Sequence, residues 1–478
     1  MSTGKRVIRN SLYGVIGQAF GGGIFFFVAI LVARHLGPED FGTLTFILAF
    51  VTVFQMLADF GLTNVLVREI ARNREKVSEI LGAVMPLATL MAIIGSAIIA
   101  AAIWLMPLDP SAELAAFIMG GTVILTFHAA VAGNVSRAFE DMWLNAVGLM
   151  AQRVVLLVLI LVAQQLDAGL PGIALCYFGE RLFQWAFFRI VVRVRYTHYR
   201  WRLDFSYWVH LIREGLPVGI AMVLRRISWH IHTFMLTILS TSAAVGLFGS
   251  AYRVIQMINV IPFTLAVPMF PVLSRLAADS PEKAFAAYLR ALRIFTLVGV
   301  PIGVWLTLVG HSVIQLLFGP AFAAAGELLR LMGAVVILLF LNGMFVYLFS
   351  ALGQQRYYTI SVSLSVTLNL LLDLVLIPVL GVPGVVISAL IAEAAVFLSA
   401  SWFLAQQGFV LNYRQIIGRP VCAALPAAVV LALAMDVVAW IPMLTTSVVF
   451  GALYLGLARL CGALDPKDVQ ALIRGIKR

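Results

Sequence analysis

Two adjacent arginines, Arg225 and Arg226, stand in the middle of a long apolar stretch and are followed by Ser228, His230, His232, Thr233 and Thr237. A helix turns by about 100° per residue, which puts Arg226, His230, Thr233 and Thr237 on one stripe and Arg225, Ser228 and His232 on the next. The chemistry such a face offers is capture of anions. Guanidinium groups bind phosphate and carboxylate through paired charge-assisted hydrogen bonds. Arg153, Arg181 and Arg253 add cations within other apolar runs, and the acids there are Asp59, Glu180, Asp373, Glu393 and Asp436. Ionisable groups at membrane depth are costly and mark functional positions. We therefore take Arg225, Arg226, Arg153, Arg253, His230 and His232 as candidate substrate-binding residues. Asp59, Glu180, Asp373 and Glu393 are the candidates for ion coupling. Each has a structural alternative: Glu180 and Arg181 can pair across helices to fix packing, and Asp59 can cap a helix or pair with Arg68.

Other chemistry is not supported. His230 and His232 are two residues apart and point apart on a helix, so no metal is expected. Cys176, Cys422 and Cys461 lack both metal-ligand spacing and a CxxC pairing and read as small apolar residues. The nucleotide-binding pattern GxxxxGK[ST] is absent. We expect no cofactor and no enzymatic activity.

The elements that carry these residues follow from composition. Of the 478 residues 62% are hydrophobic and 12% charged, against about 25% charged in soluble domains. A membrane-crossing helix needs about 20 apolar residues. Runs of that length cover 10–33, 43–64, 79–103, 113–134, 144–166, 172–192, 214–239, 246–270, 291–315, 326–350, 359–380, 384–406, 421–440 and 444–462. The expectation is an all-α integral membrane protein of about fourteen helices. With both termini inside, and with 271–293 counted as an inner segment, inner segments hold 24 Lys and Arg and outer loops only Arg34, the other eight of 33 lying within helices. That asymmetry is the positive-inside pattern, and it accounts for the net charge of +11 without nucleic acid. The basic loops face anionic membrane lipids. Outer loops of about ten residues at most leave no room for an active site outside the lipid.

The two halves of the chain resemble each other. LPGIALCYFGE (170–180) parallels VPGVVISALIAE (382–393), each opening a helix and reaching a glutamate about two turns on, and the stretch around Gly42 parallels that around Gly246. The offsets, 212 and 204 residues, suggest two six-helix lobes, 1–205 and 206–410, with helices 13 and 14 and a cytoplasmic tail appended over 411–478. An even number of helices per repeat makes the repeats parallel, an arrangement suited to alternating access. GxxxG spacings at Gly17–Gly21, Gly215–Gly219 and Gly299–Gly303 predict close helix packing.

Three stretches carry a family resemblance: residues 31–72 (LVARHLGPEDFGTLTFILAFVTVFQMLADFGLTNVLVREIAR), 244–279 (AVGLFGSAYRVIQMINVIPFTLAVPMFPVLSRLAAD) and 348–393 (LFSALGQQRYYTISVSLSVTLNLLLDLVLIPVLGVPGVVISALIAE). They are similar to the polysaccharide transporter branch of the multidrug/oligosaccharidyl-lipid/polysaccharide exporter superfamily. The resemblance covers most of the chain except its last 70 or so residues. It implies a V-shaped pair of six-helix lobes and a flippase for oligosaccharides linked to undecaprenyl diphosphate, feeding O-antigen or exopolysaccharide synthesis in the inner membrane. Glycan polymerases or ligases would be its partners. Family members often carry an aspartate fourteen residues before the glycine matched by Gly246; here that position is His232. The departure makes the helix more cationic and weakens an acidic, proton-linked role for it. Two alternatives stay open: a multidrug or cation antiporter of the same superfamily, and a flippase for peptidoglycan lipid precursors.

Overall fold

Backbone amides in lipid have no water to bond, so a membrane chain satisfies them within helices, and no strand occurs among the described residues. The computed structural model describes residues 3–266, 268–437 and 443–463. Side chains of 3–9, 11, 12, 221, 434–437, 443, 444 and 446 are also outside the description. Lys5, Arg6, Arg9, Asp436 and the basic residues of the C-terminal tail are therefore not placed.

Contacts divide the chain into two units, one of Met1–Thr237 with Thr241–Gly246, the other of Ile238–Ser240 with Leu247–Arg478. The helices up to that division are α1 (Thr3–Asp59), α2 (Leu62–Arg72), α3 (Val77–Trp104), α4 (Pro110–Ala138), α5 (Met142–Gln165), α6 (Leu170–Val191) and α7 (Phe205–Leu239). Then come α8 (Ser242–Ile258), α9 (Val260–Ala266), α10 (Met269–Asp279), α11 (Pro281–Phe318), α12 (Ala325–Asn342) and α13 (Phe345–Ala351). The last are α14 (Gln355–Leu380), α15 (Val382–Ala405), α16 (Arg419–Val437) and α17 (Met443–Leu460). Ten helices among the described residues are long and apolar enough to cross a membrane.

Local chemistry sets the breaks. The 57 residues of α1 turn at Gly37, whose φ of 74° is a left-handed conformation open to glycine, and Pro38 starts the next segment. This turn separates the two spans expected over 10–33 and 43–64. α1 ends at a second left-handed turn, Phe60 and Gly61 (φ 44° and 78°). Asp59 then caps α2: its Oδ1 accepts from the Thr63 amide at 3.0 Å and its Oδ2 from the Thr63 hydroxyl at 2.8 Å. α2 buries Leu62, Val65, Leu66 and Ile70, while Arg68 reaches Glu214 rather than Asp59. The two segments matched as repeats both begin helices with proline in the first turn, Pro171 in α6 and Pro383 in α15.

In the first unit α2, α3 and α4 close over Leu66, Ile70, Leu81, Val84 and Val131, with Trp208 and Leu211 from the start of α7. Aromatic rings dominate the second: Tyr288, Phe318, Phe340, Phe345 and Phe349 are fully buried. Glycines permit the close approaches. A Cβ at Gly17 would lie 2.9 Å from Ala146, one at Gly303 would lie 2.5 Å from the Gly333 carbonyl, and one at Gly219 would lie 2.6 Å from the Phe60 carbonyl. All three expected GxxxG faces thus touch a neighbouring segment. Outward, α3 shows Leu90, Ile93, Ile94 and Ile98, each about half exposed, an apolar face fit for lipid tails.

Candidate functional site

The α7 stripe is assembled by the helix itself. Arg225 is exposed and Arg226 half-buried. Both guanidiniums approach one ring, Trp229, with their central carbons 5.9 and 5.8 Å from its centroid. The indole lies three and four residues on, where a helix brings side chains together, and its face attracts both cations. Among the described residues neither arginine has a carboxylate within ion-pair range. The hydroxyls of the stripe turn inward: Ser228 donates to the Leu224 carbonyl at 2.9 Å and Thr237 to that of Thr233 at 2.8 Å. They therefore need no outside partner. His230 packs edge-on against Phe234, which meets Phe46 of α1 in the same geometry. His232 is half-buried on the adjacent stripe.

Arg153 of α5 belongs to a different group. Its Nη1 lies 2.8 Å from Oε1 of Glu180 on α6, and its guanidinium covers the Phe25 ring at 4.2 Å. Glu180 is completely buried, and its second oxygen accepts no hydrogen bond among the described residues. This carboxylate neutralises Arg153 inside the protein. Arg181 turns instead to Gln184 at 3.1 Å.

The second unit holds the remaining candidates. Glu393 of α15 accepts from the Asn342 amide of α12, at 2.7 Å through Oε2 and 2.9 Å through its own carbonyl. Tyr252 lies within electrostatic range of both Glu393 and Arg253, and Arg253 also reaches Gln256 at 3.5 Å. Asp373 is completely buried on α14. Nearby in sequence, Asn369 accepts from Ser388 at 3.3 Å and ties α14 to α15.

The structure thus brings Arg225 to Arg226 around Trp229, Arg153 to Glu180, and Arg253 and Glu393 to Tyr252. It commits Asp59 to capping α2. Sequence reasoning did not single out Trp229, Phe25, Tyr252 or Asn342. Trp229 was within reach of it, since an aromatic at i+3 and i+4 from two arginines on a helix is a readable spacing. The others are joined only by tertiary packing. Glu69, His210 and Glu214 place their ligand atoms within 4.8 Å of one another, yet Glu214 is taken by Arg68 and lies 3.7 Å from His210. That group reads as an exposed salt-bridge network.

A family model described as "Polysaccharide biosynthesis protein" matches residues 7–277. The chain belongs to this family. An uncharacterised membrane protein of Methanocaldococcus jannaschii is 20% identical over 197 residues, 41% of this chain and 39% of that relative. Among solved structures the fold is similar to the lipid II flippase MurJ in an inward closed conformation, with TM-score 0.72, 14% identity and coverage of 95% of this chain and 98% of the other. A multidrug resistance MATE family transporter of the MOP superfamily in an inward-facing conformation follows at TM-score 0.61 and 16% identity, covering 84% and 95%. A MOP superfamily transporter from Pyrococcus furiosus, described by a reversed polarity of its binding pocket, matches at TM-score 0.58 and 18% identity over 84% and 96%. These likenesses establish the fold of a multi-pass membrane protein for this member of the family.

Proposed function

We propose that this protein translocates a polyprenyl-diphosphate-linked oligosaccharide across the plasma membrane by alternating access, for surface polysaccharide synthesis. The observation that carries the reading is the Arg225–Arg226 pair on Trp229. Two guanidiniums without acid partners among the described residues, in a family of polysaccharide biosynthesis proteins, suit a diphosphate. His230 and His232 border them. Arg153 and Arg253 are secondary contacts, and a phosphate reaching Arg153 would have to compete with Glu180. The four ion-coupling candidates stay Asp59, Glu180, Asp373 and Glu393, and three of them already hold structural contacts: Asp59 with Thr63, Glu180 with Arg153 and Glu393 with Asn342.

Fourteen crossings fit this reading. The ten apolar helices become fourteen when α1 is counted twice across Gly37 and α6, α7 and α17 are added, with both termini cytoplasmic. A peptidoglycan-precursor flippase is the second reading. The full-length match to a lipid II flippase, against 84% coverage by the MATE transporter, favours it over a drug exporter. A cationic α7 also counts against export of organic cations.

Reconstituted liposomes loaded with a labelled polyprenyl-diphosphate glycan test the proposal. Parent protein moves the lipid. Arg225→Ala and Arg226→Ala each lower the rate by about tenfold or more, the worth of one charge-assisted contact. Transport that survives both substitutions removes the site and keeps the function. Transport of lipid II alone transfers the protein to the second reading.

A further inference from the structure

After α6 and a further helical turn over Val192–Tyr196, the chain runs without regular secondary structure from Thr197 to Asp204 across the start of α3. Three hydrogen bonds pin this strap and the first turn of α7. The Ser78 hydroxyl donates to the His198 carbonyl at 2.7 Å, the Arg202 amide donates to the Gly82 carbonyl at 2.9 Å, and the Trp208 indole donates to the Ala83 carbonyl at 2.7 Å. The strap sits so close that a Cβ at Gly82 would lie 2.5 Å from the Arg200 carbonyl. Together the strap and α3 border an open cleft of about 460 Å³ lined by Ser78, Glu79, His198, Arg200, Trp201 and Arg202.

Its chemistry is specific. Among the described residues Arg200 has no carboxylate partner, whereas Arg202 shares Asp204 at 3.2 Å. Glu79 is the one acid in the lining. The two arginines face two acids, Glu79 and Asp204, and the one arginine outside an ion pair among the described residues, Arg200, matches one phosphodiester better than a diphosphate. Beside the cations, Trp201, Leu203 and Phe205 are 63%, 65% and 66% exposed. Large apolar side chains bared on an otherwise polar strap are costly in water and favourable at the headgroup–acyl boundary, where tryptophan prefers to sit. The strap belongs to the basic segment that the charge asymmetry assigns to the cytoplasmic face, and anionic lipids give that face a negative potential.

We propose that this cleft binds the phosphate headgroup of an anionic glycerophospholipid of the cytoplasmic leaflet, held by Arg200 and Arg202 with Trp201 at the acyl boundary. The start of α3 contributes a favourable helix-dipole field at Ser78. Binding fastens the strap, and with it the entry to α7, to the membrane surface. The proposal does not depend on what the protein transports.

The test titrates the full-length protein, purified in neutral detergent, with dioctanoyl phosphatidylglycerol and reads bound lipid by native mass spectrometry. Phosphatidylglycerol is retained and dioctanoyl phosphatidylcholine is not. Arg200→Gln and Arg202→Gln each weaken binding about fivefold, the usual worth of one basic residue at an anionic surface, and Arg200→Lys restores most of the loss. Lys283→Gln, which removes a cation from another inner segment, changes nothing. Equal binding of the two lipids, or an Arg200→Gln protein indistinguishable from the parent, overturns the proposal. Displacement of the lipid by inorganic phosphate shows a soluble-anion site instead, and preference for a polyprenyl diphosphate over phosphatidylglycerol shows a substrate-loading site; either outcome also overturns it. Should Arg200→Gln fail to fold, salt dependence in the parent decides: affinity insensitive to ionic strength refutes a guanidinium–phosphate contact.

Discussion

At the residue scale the clearest physical case is Arg153 with Glu180. The carboxylate is fully buried and the guanidinium nearly so, 2.8 Å apart. Breaking such a pair leaves one charge buried alone and costs about 3–5 kcal/mol. The two halves of the pair are not equal, however. An arginine keeps its proton at any accessible pH, while a glutamate stripped of its partner can take one up and become neutral. Glu180→Ala should therefore lower the unfolding temperature more than Arg153→Ala, and Arg153→Met combined with Glu180→Ala should recover much of the loss. Thermal unfolding of the purified variants in one detergent reads this directly, and the reverse order of the two single variants refutes the asymmetry. Sequence pointed to both residues, because charge inside an apolar run is visible in composition alone. It did not join them. Twenty-seven positions separate Arg153 from Glu180, and only the packing of α5 on α6 makes them partners. Asp59 was more legible: the hydroxyl of Thr63 four residues on is a capping partner that local sequence supplies.

At the element scale the glycines decide where helices meet. Gly42 and Gly246, the two glycines whose surroundings match in sequence, touch each other. A Cβ at Gly42 would fall 1.8 Å from the Ser242 carbonyl, and one at Gly246 would fall 1.9 Å from the Pro38 carbonyl. No side-chain rotation relieves a clash with backbone, so the segments must separate. Overpacking of this kind costs about 1–3 kcal/mol. A methyl group added at Gly22 or Gly23 would meet nothing within 4 Å, and there alanine should stabilise the helix by about 0.5–1 kcal/mol. We expect Gly246→Ala to lower the yield of folded protein and its unfolding temperature, and Gly23→Ala to raise or leave both. Equal behaviour of the two variants would falsify the contact. Helices were readable as apolar runs, and the Pro–Gly pairs that suggested a repeat do both open helices. The joints were less so. The run expected over 214–239 is the later part of a helix that starts at Phe205, since no proline or glycine stops it earlier. The run expected over 246–270 is instead divided near Asn259 and again before Met269, where Pro262 and Pro268 interrupt the amide ladder.

At the scale of the whole molecule, orientation rests on charge rather than on packing. Every basic residue outside the apolar runs expected to cross the membrane, except Arg34, falls on one set of alternating segments when the termini are placed inside, and insertion keeps such segments in the cytoplasm. This can be read on intact cells. Cys176 is buried, while Cys422 and Cys461 are exposed on the protein surface, so all three are first replaced by serine. Single cysteines then go to Asp109, between α3 and α4, and to Lys283, in the first turn of α11; both positions are exposed. A membrane-impermeant maleimide should label the Asp109→Cys protein in whole cells and the Lys283→Cys protein only after lysis. The opposite pattern inverts the orientation, and labelling of both from outside breaks the helix count between them. The inverted result would matter beyond topology. It would move the strap over α3 to the outer leaflet, away from the negative surface potential that its exposed arginine and tryptophan suit. The charge asymmetry and the leaflet proposed for the strap therefore stand or fall on the same pair of cysteines.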